Sequence, residues 1–246
     1  MSNPLQLSHE NYYSQEAGRV YMSNSQLKVW GRCEAMAHAQ FVTGEWVPKS
    51  RACFEVGKYV DAGVLQPDGW ADDMARILHD HNGVFYKQDG SEKADKVRAD
   101  KMISRALDDE VAQEWLAGDQ QVILVGEIGG MKWKAMLDVL NLALGWICDF
   151  KTTRSLGKVW AYRDGRRRYM PWYDQFGYLR QLAVYRELVR QVYGVLCEVG
   201  LCGVLNDDVP WCDVLRFGGG IDEVLDAHMK VVELECERVL EIRAGA

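Results

Sequence analysis

The sequence is short of the features that mark membrane and secreted proteins. It contains no run of eighteen consecutive apolar residues, and its first fifteen residues show neither a basic start nor an apolar stretch. A membrane-spanning helix needs about 20 apolar residues, and a secretory signal peptide needs both of the other features. The sequence therefore predicts a protein of the cytoplasm that has no membrane partner.

A Cys-x-x-Cys pair is also absent. The seven cysteines are odd in number and irregularly spaced, so they are predicted to be reduced thiols, most of them in the core. One alternative stays open, because Cys33, Cys197, Cys202 and Cys212 could together hold an iron–sulfur cluster.

Positive charge is scarce overall but concentrated in one segment. The net charge of −7 argues against a protein that coats nucleic acid through bulk attraction. Between Lys151 and Arg180, however, eight basic residues face two acidic ones, which gives this segment a charge of +6. Its Arg166, Arg167 and Arg168 form either a solvated loop or a surface that contacts phosphates.

The pattern of apolar residues separates helical parts of the chain from strands. Apolar residues recur at helical spacing in segments 26–41, 52–65, 69–81, 96–118, 172–192 and 221–243. The period shortens to two in segments 121–130, 131–141 and 145–150, as in an antiparallel meander, and segments 195–205 and 211–217 indicate further strands. This order predicts an α/β (α+β) fold with a central mixed sheet flanked by helices.

A content of 48% apolar residues is enough for one sizeable core. Residues 1–246 are therefore predicted to form a single domain. Its N-terminal helical part covers about 23–118, its sheet core about 119–217 and its C-terminal helix about 221–243.

Three charged residues lie where two adjacent predicted strands meet. Asp138 ends one apolar strand, and Asp149 and Lys151 end the next, so a hairpin through the turn at 141–145 would bring the two acids together. Two carboxylates suit a hard cation such as Mg²⁺ or Mn²⁺. Residues two apart on a strand share a face, so Lys151 would stand beside them. The alternative is an exposed ion pair of little energetic value.

The order of these residues resembles the core of the PD-(D/E)XK nuclease superfamily. Glu127 is followed by Lys134-x-x-x-Asp138 and then by the segment ICDFKTT, which is similar to the RecB and RecE branch of that superfamily. The relatives that this resemblance suggests are phage and prophage exonucleases similar to exonuclease VIII. Segments 24–35 and 56–65 resemble two helices of that branch, and Gln181-x-x-x-Tyr185 resembles a further motif. The branch carries a histidine where this chain has Asp61.

The resemblance implies a Mg-dependent deoxyribonuclease with a restriction-endonuclease-like core. The implied activity is an exonuclease that processes linear double-stranded DNA ends in phage-type recombination, in the host cytoplasm if a phage encodes it. Asp138 and Asp149 would hold the metal, with Asp61 and Glu127 as further ligands, and Lys151 would orient the attacking water. Gln181 and Tyr185 would hold the DNA backbone, and the phosphate-binding surface would be Arg166, Arg167 and Arg168.

The same resemblance implies partners and leaves two rival functions open. A phage single-strand annealing protein and a homo-oligomeric ring around DNA are the implied partners, by analogy with relatives. One rival is a DNA-binding or assembly module that has lost catalysis. The other is a single-strand nuclease related to the CRISPR-adaptation nucleases, which usually carry a four-cysteine cluster.

Overall fold

The centre of the fold is a mixed sheet. The computed structural model describes residues 5–49, 51–65, 70–163, 165–218 and 220–244. Its strands are β1 (Asp119–Ile128), β2 (Met131–Asn141), β3 (Trp146–Thr153), β4 (Lys158–Arg163), β5 (Arg166–Pro171), β6 (Glu198–Leu205) and β7 (Cys212–Arg216). Five of them form one sheet in the order β1-β2-β3-β6-β7, in which only β3 and β6 are parallel, and β4 pairs with β5 as a separate antiparallel hairpin.

Helices cover both faces of this sheet. The α-helices of the described residues are α1 (Gln15–Val20), α2 (Asn24–Arg32), α3 (Glu34–His38), α4 (Ala52–Leu65), α5 (Trp70–Asp80), α6 (Asn82–Phe85), α7 (Ala94–Leu107), α8 (Glu110–Trp115), α9 (Trp172–Gln175), α10 (Tyr178–Tyr193) and α11 (Ile221–Arg243). A π-helical turn, Ala39–Thr43, follows α3. The mixed sheet flanked by helices confirms the predicted fold class.

Two apolar cores lie on opposite faces of the sheet. Alternate residues of β3 supply both, because Ile147 packs with α2, α10 and α11, whereas Cys148 and Phe150 pack with α4, α7 and α8. The inner strand β6 is buried on both faces and has an almost continuous apolar sequence, as expected of a strand in the middle of a sheet. Asp149 follows the alternation and faces the α10 side.

Three predicted helices are each divided in the structure. Segment 172–192 forms α9 and α10, which are separated at Gly177, where φ is 64°. Segment 96–118 forms α7 and α8, because the Asp109 carboxylate accepts a hydrogen bond from the Ala112 amide at 3.0 Å and begins a new helix. Segment 26–41 is divided at Cys33, which takes an extended conformation with φ −162° and ψ 105° between α2 and α3. The side chain of Ser23 caps α2, with the Gln26 amide as donor at 3.4 Å.

The expected basic loop is a β-hairpin. Strands β4 and β5 pair from Lys158↔Pro171 to Arg163↔Arg166, so the arginines stand on a strand. Trp160, Tyr162 and Tyr169 explain this difference, because aromatic residues at alternate positions favour strands over loops. No helix of the described residues is long and apolar enough to cross a membrane.

Candidate active site

A gap in the β2–β3 pairing creates the polar centre of the molecule. The two strands pair at Asn141↔Trp146, Leu140↔Ile147 and Val139↔Cys148, and the regular pairing ends there. The next residue of β2, Asp138, instead accepts a hydrogen bond from the Phe150 amide through its Oδ2 atom at 2.8 Å. Asp138 therefore lies inside β2, three residues before its end, and its carboxylate takes the place of a strand carbonyl.

Lys151 lies between two carboxylates. Its Nζ atom is 2.7 Å from Asp149 Oδ2 and 3.3 Å from Asp138 Oδ2, and it donates to the Phe150 carbonyl at 2.8 Å. The Asp149 side chain is fully buried, whereas the Lys151 side chain is 20% exposed and the Asp138 side chain is 19% exposed. The two acids and the lysine thus form one cluster that is open to solvent on one side only.

Helix α10 holds the buried carboxylate from the other direction. Gln181 Nε2 donates to Asp149 Oδ1 at 2.9 Å and to the Tyr185 hydroxyl at 2.7 Å, as residues four apart on one helix face allow. Both donor hydrogens of this amide are used, and its Oε1 atom accepts from Asn24 Nδ2 of α2 at 3.4 Å. This network fixes the orientation of Asp149 within the sheet.

The charges of the cluster perturb one another because they are poorly hydrated. Burial raises the pKa of Asp149, although the positive charge of Lys151 opposes this rise. Burial lowers the pKa of Lys151, but the negative charges of Asp138 and Asp149 outweigh it and hold this pKa well above its ordinary value. The lysine is therefore a permanent cation in this site.

Asp61 lies within electrostatic reach of the same cluster. Burial raises its pKa to about 8, and the Asp138 charge adds to the rise. Its helix, α4, contacts β3 one turn earlier, where a Cβ atom on Gly57 would lie 3.5 Å from Thr152 Oγ1. The partly buried Asp61 thus faces a region of excess negative charge.

Glu127 is not brought to this cluster. Its side chain is exposed on the edge strand β1, where it pairs with Lys132, six residues before Asp138 on β2. Six strand residues span roughly 20 Å, which is far beyond the length of a metal–ligand bond. We therefore leave Glu127 out of the candidate ligand set.

The four cysteines suggested for an iron–sulfur cluster are also dispersed. Cys33 is exposed between α2 and α3, and Cys197 belongs to the core on the α10 side. Cys202 and Cys212 lie in the other core with their sulfur atoms 3.7 Å apart. This arrangement contradicts a shared cluster, and with it the feature that pointed to a CRISPR-adaptation nuclease.

The structure adds aromatic and basic neighbours that the sequence analysis missed. Lys151 lies 5.6 Å from the centre of the Tyr178 ring, and Lys28 lies 5.5 Å from the same ring. The position of Tyr178, three residues before Gln181 and seven before Tyr185, is the helical signal that could have identified it. Burial lowers the pKa of Lys28 to about 8, with help from the Arg180 charge.

A third lysine, Lys134, lies on β2 four residues before Asp138. Lys134 is buried, donates to the Tyr12 carbonyl and lies 4.6 Å from the centre of the Tyr12 ring. Burial lowers its pKa to about 8. Tyr12 comes from the segment before α1, for which the sequence pattern gave no signal.

The donor set of the cluster fits a hard divalent cation. The neighbour of the buried Asp149 Oδ2 atom is the Lys151 ammonium at 2.7 Å. Burial, together with the charges of neighbouring carboxylates, raises the pKa values of Asp149 and Asp61, and a bound cation would relieve this cost of ionising them. Within the described part of the chain, no three His, Cys, Asp or Glu side chains form a closed metal site. Two carboxylates with remaining positions for water are the arrangement that Mg²⁺ commonly uses, so Asp138 and Asp149 suffice.

Comparison with known proteins identifies the family. Residues 23–246 match the model of the PDDEXK-like domain of unknown function (DUF3799). A crystal structure of a "putative exonuclease" from Eubacterium rectale is similar, with a TM-score of 0.85 and 29% sequence identity over 98% of this chain and 88% of that one. The curated proteins contain no significant match. The fold and the family model agree, and the chain belongs to the PDDEXK-like domain family within the PD-(D/E)XK nuclease superfamily.

Proposed function

We propose that the protein is a metal-dependent deoxyribonuclease that uses Mg²⁺ or Mn²⁺ and degrades linear double-stranded DNA from its ends. The observation that carries this proposal is the contact of Lys151 with both Asp138 and Asp149, at 3.3 and 2.7 Å, within a nuclease fold. The similar E. rectale protein, which is described as a "putative exonuclease", supports the proposal of action at DNA ends.

Each residue of the cluster has a distinct role in this proposal. Asp138 and Asp149 would hold the metal, which when bound supplies a Lewis acid for the phosphodiester and lowers the pKa of water. The Lys151 ammonium would orient the attacking water and offset the negative charge that grows on the phosphoryl group. Asp61 would add negative charge near the metal and leave coordination positions free for water.

Gln181 and Tyr185 act as positioning residues in this proposal. The resemblance assigned both to the DNA backbone, but the two donor hydrogens of Gln181 already bind Asp149 and Tyr185. The geometry favours a role in which Gln181 fixes the Asp149 carboxylate and Tyr185 fixes Gln181. Arg166, Arg167 and Arg168 are exposed and would contact phosphates, Arg167 from one face of the β4–β5 hairpin and Arg166 and Arg168 from the other.

A single experiment tests the activity. Purified protein is incubated with linear and with closed circular duplex DNA, in Mg²⁺, in Mn²⁺ and in EDTA, and Asp149→Asn serves as the control for a contaminating nuclease. We expect loss of linear DNA alone, only with a metal and only with the wild-type chain. Cleavage of circular DNA would contradict exonuclease action, and equal cleavage by Asp149→Asn would contradict this site.

A DNA-binding module without catalysis is the second candidate. It is favoured by Asp61 at the position of the family histidine and by Lys151, which already neutralises part of the charge between the two carboxylates. The same incubation distinguishes the two candidates, because a module without catalysis would leave linear DNA intact in the presence of Mg²⁺. It would still bind that DNA, and a gel-shift measurement would show the complex.

The pathway and the assembly belong to the proposal through resemblance alone. Phage-type recombination, an annealing protein as partner and a ring around DNA are consistent with an exonuclease that digests duplex ends. Sedimentation velocity with and without a duplex oligonucleotide measures the oligomeric state, and a monomer under both conditions would contradict the ring.

A further inference from the structure

The β4–β5 hairpin is inserted in the chain between the two parts of the candidate active site. Strand β3, with Asp149 and Lys151, leads into the hairpin, and the hairpin leads through α9 into α10, with Gln181. Its base is closed by a hydrogen bond from the Trp172 amide to the Gly157 carbonyl at 3.0 Å. The hairpin therefore projects directly from the site.

The base of the hairpin is anchored on the central sheet. Leu156 and Trp172 pack onto β6 at Gly203, where a Cβ atom would lie 2.6 Å from Leu156 Cδ2 and 3.2 Å from the Trp172 ring. Gly203 is also the pairing partner of Lys151 in the parallel β3–β6 ladder. The position of the hairpin is thus fixed relative to the candidate catalytic lysine.

The two faces of the hairpin have opposite character. Ala161 and Met170 are buried on the face that turns toward the protein. On the outer face Trp160 stands opposite Tyr169, and Tyr162 stands opposite Arg167. Trp160 is 58% exposed, Tyr169 is 57% exposed and Tyr162 is 81% exposed. Large aromatic rings rarely remain exposed together without a ligand.

The outer face also carries positive charge. Segment 158–171 contains five basic residues against the single acid Asp164, in a chain whose net charge is −7, and strand alternation places two of the five, Lys158 and Arg167, on the outer face. The Arg167 guanidinium lies 4.9 Å from the centre of the Trp160 ring, and that ring is 5.2 Å from Tyr169. Aromatic rings combined with local positive charge are the surface that a nucleic acid, rather than an apolar protein segment, complements.

We propose that this outer face binds a single strand of DNA by stacking its bases on Trp160, Tyr162 and Tyr169, with Arg167 contacting the backbone or a base. This inference rests on the proposed nuclease function and specifies its substrate: duplex DNA with an unpaired strand at the end. Paired bases in a duplex cover one another's faces, so exposed rings have stacking partners only where the strands have separated.

The spacing of the rings suits unstacked bases. Residues two apart on a strand are about 7 Å apart, which is roughly twice the separation of stacked bases, so Trp160 and Tyr162 would receive bases that are spread from one another. Stacking of this kind tolerates every base because each has a flat aromatic face. The face therefore binds without sequence preference and holds the strand beside the site.

Fluorescence anisotropy with a labelled oligodeoxythymidine of about 20 nucleotides, in EDTA, measures this binding without cleavage. We expect Trp160→Ala and Tyr169→Ala each to weaken binding about 5- to 100-fold, the effect of losing one stacked base. Trp160→Phe keeps a ring and should recover most of the affinity. An abasic strand of equal length should bind weakly and equally to the wild type and to Trp160→Ala.

The matched control is Trp211→Ala. Trp211 is 60% exposed and has an arginine, Arg105, 5.3 Å from its ring centre, but it precedes β7, outside the hairpin. Its loss should leave the affinity unchanged. Binding by Trp160→Ala equal to the wild type, or wild-type binding of the abasic strand as tight as of thymidine, would overturn the proposal. Circular dichroism checks that each variant is folded.

Two further outcomes distinguish this proposal from an interface between copies of the chain and from the proposed nuclease function. If Trp160→Ala changes the sedimentation coefficient of the protein but not its DNA affinity, the face is an interface between copies of the chain and the proposal is wrong. If the wild type binds the strand through Trp160 but cleaves no DNA, the nuclease proposal fails and this one stands. If the protein cleaves linear DNA but Trp160→Ala binds the single strand as tightly as the wild type, the stacking proposal fails and the nuclease proposal stands.

Discussion

Strand β3 and the β4–β5 hairpin follow one another in the chain and depart from the usual rule of burial in opposite ways. Strand β3 carries Asp149 and Lys151 into the interior, whereas the hairpin leaves Trp160, Tyr162 and Tyr169 in water. Burying an ion pair seldom adds net stability, and leaving a large apolar side chain exposed forgoes about 1.5–3 kcal/mol. Neither arrangement is explained by folding alone, and this is why we propose a functional role for both regions.

The two regions differ in where their partners are found. In the site, Asp138, Asp149 and Lys151 bind one another, and Gln181 binds Asp149. On the hairpin, the rings and the arginine bind mainly one another at the surface. We therefore expect substitutions in the first region to change the rate of chemistry, and substitutions in the second to change DNA affinity.

The largest effect is expected for Asp149→Asn. The change removes a negative ligand while keeping the shape of the side chain, so cleavage should fall by on the order of 10³ or more, because metal catalysis contributes several kcal/mol. Calorimetric titration with Mg²⁺ should show weaker binding. An unchanged binding isotherm would remove Asp149 from the metal site.

Lys151→Ala should lower the rate by on the order of 10²–10³ with little change in DNA affinity, since its charge is needed mainly in the transition state. Lys151→Arg should recover little, because a planar guanidinium cannot replace a compact ammonium between two carboxylates. Single-turnover cleavage at saturating enzyme isolates this step. A rate near that of the wild type would reduce the cluster to an ordinary ion pair.

The arginines of β5 should show the opposite behaviour. Replacing Arg166, Arg167 and Arg168 by Ala should weaken DNA binding and reduce the slope of log affinity against log salt by about 0.9 for each phosphate that is no longer neutralised. The rate at saturating DNA should stay constant. Replacement of the exposed Arg32, Lys132 and Lys230 by Ala is the matched control for the change in net charge. Equal slopes for both triple variants would mean that the hairpin has no special role.

A smaller effect is expected for Tyr185→Phe. The change leaves one Gln181 donor without its partner at 2.7 Å, and one such hydrogen bond contributes about 0.5–1.5 kcal/mol. We expect kcat to fall about 2- to 15-fold with KM unchanged, because Asp149 is held less firmly. A rise in KM at constant kcat would instead support a direct contact of Tyr185 with DNA.

Asp61→Asn should stabilise the metal-free protein and weaken its metal binding. The pKa of Asp61 is raised to about 8 in the folded protein, so stability falls from about pH 4, where this carboxyl ionises in the unfolded chain, to about pH 8, where it ionises in the folded one. The gain from Asn is therefore greatest above about pH 8 and vanishes below about pH 4. Each kcal/mol gained raises Tm by about 2–4 °C. A gain in Tm that is larger at pH 5 than at pH 9 would contradict this account.

The sequence predicted the sheet and the proximity of its charged residues better than the helical part. The change of period at 121–150 located β1, β2 and β3, and the short turn between β2 and β3 brought Asp138 close to Asp149 as expected. The closing helix was predicted at 221–243, as found. These features are local, because a two-residue period and a tight turn are determined by neighbouring residues.

The remaining features depend on tertiary structure. Nothing in the local pattern indicates that Lys134 contacts Tyr12, 122 residues away, or that the Gln181 amide donates to Asp149 and to Tyr185. Glu127 was placed in the site by motif order alone, but the length of β1 carries it away. The segment around Arg166, Arg167 and Arg168 was predicted to be a loop because of its charge. The alternating aromatic residues Trp160 and Tyr162, which favour a strand, were not considered.

The hydrogen bond from the Phe150 amide to Asp138 should make this backbone proton sensitive to metal binding at the site. This amide points toward β2 at the gap in the ladder, and its acceptor is a carboxylate oxygen, 2.8 Å away, that a cation would also attract. The nuclear magnetic resonance frequency of this one proton and its rate of exchange with solvent deuterium should therefore change when Mg²⁺ is added. Site occupancy can thus be followed at a single backbone position, without substrate and without turnover.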